Sequence, residues 1–149
     1  MKKERFKLTP ATHLIFIMDG KVLLSRRANT GWRDGFYSLP GGHLDGKETA
    51  IEAAIREGKE EIGLNVEEKN LEFAHVIHRI SDGVERVDFF FLVKGWKGEI
   101  KNMEPNKCDD LKWLDVGNLP KNTVNYVRQA IENILRGKFY SEEGWDGNT

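Results

Sequence analysis

The stretch from Leu39 to Leu64 restricts what this chain can fold into more than any other. It joins a glycine turn, Gly41-Gly42, to one short amphipathic helix. Thr49, with Glu52 three residues on, has the pattern of a capping box, so the helix is expected to start there. Gly63 stands where the helix would stop, and apolar Leu64 follows it. Between them Ile51, Ala54, Ile55, Gly58 and Ile62 recur at helical spacing and predict a buried face. Glu57, Glu60 and Glu61 are related by i, i+3 and i+4, so three carboxylates occupy neighbouring positions of one helix surface.

Clustered carboxylates repel one another unless a positive charge sits among them. Mg²⁺ takes oxygen ligands, usually a few carboxylates plus substrate phosphates. The plainer interpretation is a solvated face relieved by Glu52–Arg56 and Arg56–Glu60 pairs. The helix alone leaves both open. The turn ahead of it favours a ligand, because Gly41-Gly42 lets backbone approach closely, and backbone N–H groups at such turns favour phosphate.

Gly42, Glu48, Arg56, Glu57, Glu60, Glu61 and Gly63 together resemble the Nudix box: glycine, five residues, Glu, seven residues, then Arg-Glu-aliphatic-any-Glu-Glu-any-Gly-aliphatic. Every glycine and charged position fits. Gly58 departs, standing where the family usually has an aliphatic residue, and close packing of the helix on a sheet would explain it. The resemblance implies an α/β fold, a single-domain α/β/α sandwich with a mixed sheet between helices. It implies Mg²⁺-dependent hydrolysis, with Mn²⁺ as an alternative, of a nucleoside diphosphate linked to a group X. The metal would be held by Glu57, Glu60 and Glu61 with a carbonyl of Gly41 or Gly42, and Arg56 would orient carboxylates by pairing with Glu48 or Glu60. Many members add an acidic residue from a late loop; Glu104 ranks first here, ahead of Asp109 and Asp110, and otherwise Glu57 itself acts as base. The expected substrate is a (deoxy)nucleoside triphosphate, with an oxidised base as one form, cleaved to monophosphate and pyrophosphate as in MutT-like proteins. ADP-ribose, sugar nucleotides and RNA 5′ ends are the alternatives within the family. A Nudix module that binds a nucleotide without catalysis is the alternative of another functional class.

The totals narrow the classes further. A chain of 149 residues suits one domain, 1–149. A net charge of −1 gives no electrostatic case for stable nucleic-acid or membrane association. The single cysteine, Cys108, excludes an intramolecular disulfide and suits a reducing, cytoplasmic setting. Leu14 to Met18 is too short an apolar run for a signal peptide or a membrane span. A small nucleotide is the expected partner, and a homodimer stays open.

Taken in order, His13–Met18 and Lys21–Leu24 flank Asp19-Gly20 and predict a β-hairpin. Arg26 and Arg27 follow, as a charged strand end or as contacts to substrate phosphate. Phe36–Pro40 delivers the chain to Gly41. Leu71–Ile80 and Val84–Val93 predict two strands around a Ser81-Asp82-Gly83 turn, and the near-continuous apolar run Val87–Val93 predicts a central one. Leu111–Val116 predicts a strand and Thr123–Leu135 a second helix. Asn122, at its entry, either reads the base or, with Thr123, caps the helix. The polar segment 137–149 is expected to be a loosely held tail.

Overall fold

Side-chain alternation along two buried strands decides the layers of this fold. In the computed structural model, which describes residues 3–147, the order is β1 (Thr9–Ile15), β2 (Ile17–Met18), β3 (Lys21–Arg27), β4 (Tyr37–Ser38), β5 (Gly41–His43), α1 (Ala50–Ile62), β6 (Leu71–Ser81), β7 (Val84–Val93), β8 (Cys108–Asp115), α2 (Asn125–Leu135) and β9 (Tyr140–Glu143). Met1, Lys2, Asn148 and Thr149, the ends of the expected 1–149 span, lie outside the described residues. A mixed sheet runs β5-β1-β7-β6-β9, with β1–β7 and β6–β9 parallel and the other pairs antiparallel. On β1, Leu14 packs into one hydrophobic cluster with Ile62 and Leu64, while Ile15 packs into another with Val127 and Ile131. On β7, Phe91 belongs to the first and Phe90 to the second. Successive strand residues face opposite sides, so α1 and α2 cover opposite faces of the sheet, which is the expected α/β/α arrangement.

A second sheet, absent from the sequence-based expectation, is antiparallel: β3 pairs with β2, β4 and β8. The expected hairpin is divided between the two sheets. Only Ile17–Met18 pairs with β3 across Asp19-Gly20, whose φ values of 54° and 74° suit a type I′ turn. The residues before Phe16 run beside β7 instead, because Ala11 to Phe16 are all buried and a strand buried on both faces needs covered neighbours. β7 occupies the middle of its sheet, as its apolar run predicts.

Two boundaries differ from expectation. The second helix starts at Asn125, with Val124 as its uncapped N-terminal neighbour. A turn closed by Thr123 N donating to Pro120 O at 3.1 Å precedes the helix, and bonds to β4 hold the chain there: Tyr37 N donates to Asn122 O at 2.7 Å, and Val124 N to Tyr37 O at 2.9 Å. Neither Asn122 nor Thr123 therefore caps the helix. The segment expected to hang loosely instead supplies β9, which joins the sheet beside β6. Buried His75 fixes it there, meeting Lys138 O at 2.8 Å and Ser141 Oγ at 2.7 Å, and Trp145 Nε1 donates to His78 O at 3.0 Å.

Candidate active site

The helix α1 forms where local chemistry says it should. Thr49 Oγ1 accepts from Glu52 N and Glu52 Oε1 accepts from Thr49 N, both at 3.0 Å, and Gly63 closes the helix in a left-handed conformation with φ 70°. Its buried stripe contains Ala53, Ala54, Gly58 and Ile62, and also the carboxylate Glu57. The helix packs closely on β1 at Gly58, where a Cβ would sit 3.1 Å from Leu14 Cδ1. Glu57, exposed Glu60 and half-buried Glu61 all line one cavity of about 590 Å³, together with Gly41, Gly42 and Glu104.

Arg56 ties the carboxylates together. Its Nη2 donates to Glu48 Oε1 at 2.8 Å and Nε to Glu48 Oε2 at 3.1 Å. Its Nη1 donates to Glu57 Oε1 at 2.9 Å and to Glu60 Oε2 at 3.3 Å, and Nη2 also reaches His43 O at 3.3 Å. Glu48 does not line the cavity; held below the ordinary carboxylate range by the Arg56 guanidinium, it anchors that arginine from behind.

Removal from water pushes the Glu57 carboxyl above its ordinary range, with Arg56 pulling it back and Glu60 adding to the rise. Burial raises Glu61 further, and the negative charges of Glu57 and Glu104 contribute. A bond from Gly41 N to Glu61 Oε2 at 2.8 Å opposes that rise. The glycines permit this crowding. A Cβ on Gly42 would lie 2.6 Å from Glu57 Oε1, and one on Gly41 would lie 2.2 Å from Thr12 O. Gly41 also has φ +153°, which L side chains rarely adopt. Gly41→Ala is therefore expected to lower stability by about 1–3 kcal/mol and to reduce turnover, because β5 must shift away from β1 and carry the Glu61 partner with it. Urea unfolding combined with a rate measurement checks both; wild-type values in the two would refute the crowding.

The late loop is delivered to the same cavity by the end of α1. Lys101 N donates to Ile62 O and Met103 N to Glu61 O, both at 3.0 Å, using helix carbonyls that the helix leaves free. Asn102 Oδ1 accepts from Glu104 N at 3.1 Å, and Asn102 Nδ2 donates to Cys108 O at 2.7 Å. Glu104 thus lines the cavity beside Glu61, whereas Asp109 is taken by Arg26 and Asp110 by the Tyr37 hydroxyl and Lys112. Among the described residues, no three His, Cys, Asp or Glu side chains converge into a closed metal cage. The donor set nevertheless fits Mg²⁺, which takes one or two protein carboxylates and completes its shell with water and substrate phosphate. Carboxylates raised by burial, with neighbouring negative charges adding to the rise, are the groups a divalent cation would relieve.

The three expected substrate contacts separate. Arg27 lines the acidic cavity and a second, adjoining one; its Nε donates to Trp32 O at 2.7 Å. Arg26 lines neither and pairs with Asp109 at 2.7 Å. Asn122 also lines neither; its Nδ2 donates to Gly35 O at 2.8 Å, tethering the loop ahead of the glycine turn. The second cavity, of about 430 Å³, shares Gly41, Gly42 and Arg27 with the first. It is walled by His13, Arg79, Arg86, Asp88, Trp32 and Tyr126. His13 Nε2 meets Asp88 Oδ1 at 2.9 Å and Arg79 Nε donates to Asp88 Oδ2 at 2.7 Å. Burial opposes ionisation of Asp88, yet His13 and Arg79 hold its carboxyl below the usual range. Sequence reasoning missed this group because its members sit on three strands and meet only through strand register. The signal was Asp88 itself, a lone carboxylate inside the otherwise apolar run Val87–Val93.

The NUDIX domain model matches residues 7–134. Over 140 residues the chain is 31% identical to a Methanocaldococcus jannaschii protein named ADP-ribose pyrophosphatase, spanning 93% of this chain and 80% of that one. It is 34% identical over 97 residues to a Proteus vulgaris 8-oxo-dGTP diphosphatase, spanning 65% of this chain and 85% of that protein. The crystal structure of a MutT NUDIX hydrolase from Burkholderia pseudomallei superposes with a TM-score of 0.77 at 27% identity, covering 85% of this chain and 98% of that one.

Proposed function

The chain belongs to the Nudix hydrolase family, and from that premise we propose that it cleaves a (deoxy)nucleoside triphosphate to the monophosphate and pyrophosphate. One observation carries this substrate reading: an acidic cavity and an arginine-rich one meet at Gly41, Gly42 and Arg27. A phosphate chain with its counter-cation suits the first, and a nucleoside suits the second, which is walled by Trp32, Tyr126 and the guanidiniums stacked on them.

Glu57, Glu60, Glu61 and Glu104, with a carbonyl of Gly41 or Gly42, are the residues assigned to hold Mg²⁺, or Mn²⁺ in its place. The ion would supply neutralisation of the phosphates and activation of water. The chain's own groups do the positioning. Arg56 fixes Glu57 and Glu60, with Glu48 behind it, and the Gly41 N–H fixes Glu61. Arg27 stands at the junction of the cavities, where its guanidinium can meet a phosphate oxygen. Glu57, whose carboxyl is raised by burial, is assigned to accept the proton of the attacking water.

Hydrolysis of ADP-ribose is the second reading, favoured by the relative that bears that name over most of this chain's length. The products separate the two. Pyrophosphate with a nucleoside monophosphate supports the first, and AMP with ribose 5-phosphate the second. Turnover is expected to vanish on exhaustive chelation and to return with Mg²⁺. Full activity after chelation would refute the assignment of the carboxylates.

A further inference from the structure

We propose that the second cavity selects its occupant by carbonyl oxygens, and that Arg86 is the residue that makes the selection; this rests on the nucleoside triphosphate reading above. Arg79 and Arg86 stand directly opposite one another in the β6–β7 register. Like charges at such positions are unfavourable unless something between them accepts hydrogen bonds. Asp88 is the cavity's only lining carboxylate among the described residues, and both its oxygens are engaged, by His13 and by Arg79.

Arg86 is left differently placed. Its Nη1 meets exposed His43 Nε2 at 3.4 Å, and its Nε, shielded from solvent, has no partner among the described residues. A guanidinium offers five donors and no acceptor. Arg27 and Arg79 are held over the rings of Trp32 and Tyr126, at 5.0 Å and 3.8 Å from the ring centroids. His13 Nδ1, also buried and without a partner among the described residues, is an acceptor when Nε2 donates to Asp88, so the unengaged guanidinium donors of the cavity are those of Arg86. A base edge rich in carbonyl oxygen would pair with Arg86. An exocyclic amine in the same place would put donor against donor and lose its bonds to water.

The test uses pairs of deoxynucleoside triphosphates that exchange a carbonyl for an amine: hypoxanthine against adenine, and uracil against cytosine. The wild-type chain is expected to show kcat/KM higher by about tenfold or more for the carbonyl member of each pair, and Arg86→Ala to bring both ratios to within about twofold of one. Arg86→Gln, which keeps one donor group, is expected to fall between, and circular dichroism establishes that each variant is folded. A wild-type ratio near one, or ratios unchanged in folded variants, would overturn the proposal while leaving triphosphate hydrolysis standing. Calorimetric binding of the matching monophosphates separates the two failures: an Arg86-dependent preference for IMP over AMP, with no triphosphate hydrolysed, would sink the triphosphate reading and not the selection. Ribose 5-phosphate that displaces IMP in an Arg86-dependent way, with no discrimination between bases, would assign the guanidinium to a phosphate and overturn it.

Discussion

Replacing Glu61 with glutamine is expected to cut turnover by ~100-fold or more at limiting Mg²⁺ while leaving the circular dichroism spectrum unchanged. The amide preserves shape, and its carbonyl oxygen can still accept from Gly41 N–H, the bond that Glu61 Oε2 makes at 2.8 Å. What it loses is the negative charge a hard cation needs. Stability should move the other way. The folded-state pKa of Glu61 lies well above its ordinary 4.5, chiefly through burial. Its contribution is therefore fully present below the unfolded value and is lost as pH rises through the folded one. In chelated protein, Glu61→Gln should thus raise the melting temperature near pH 8 and change it little near pH 4. Rates near wild type at limiting Mg²⁺ would remove Glu61 from the proposed metal site. Parallel melting curves at both pH values would show that the carboxylate is not under electrostatic strain.

Arg56→Ala should be costly in both currencies. The guanidinium spans Glu48, Glu57 and Glu60 with a side chain only 25% exposed, and its loss leaves Glu57 with a buried charge facing Glu61. Breaking such partly buried pairs from one side is expected to cost about 2–3 kcal/mol of folding stability. Turnover should fall by ~100-fold, because the carboxylates lose the group that sets their orientation. Arg56→Lys should recover little of either, since one ammonium cannot span two carboxylates as a planar fork does. The denaturant midpoint and kcat/KM are the measurements. A lysine variant indistinguishable from wild type would show that only charge, and not geometry, is required.

The two halves of the site differed in how far they could be read from the sequence. The acidic half lies on one helix and one turn, so fixed spacing from Gly42 to Gly63 carried the relation among Glu57, Glu60 and Glu61, and Thr49 and Gly63 marked the helix ends. Glu104 was harder. Its place depends on loop amides reaching the free carbonyls of Glu61 and Ile62, a contact with no sequence period. The arginine-rich half depends on register. His13, Arg79, Arg86 and Asp88 become neighbours only when β1, β7 and β6 lie side by side. Asn122 misled for a related reason. Its position ahead of an amphipathic run suggested a cap or a base contact, but its carbonyl is taken by Tyr37 N within a turn ahead of the helix and its amide donates to Gly35 O.

The strand β9 also bears on how much sheet edge this fold leaves open. The neighbouring β6 is eleven residues long, and Phe73 on it is 43% exposed. A long strand with unpaired amides and an aromatic side chain is a template on which another chain can extend the sheet. The parallel pairing of Tyr140–Glu143 fills part of that template from within. The bonds of His75 to Lys138 O and Ser141 Oγ hold the seal in place from a buried position. The few residues after α2 thus cover the middle of β6, Val76–Arg79, and cut the length of strand left open to another chain.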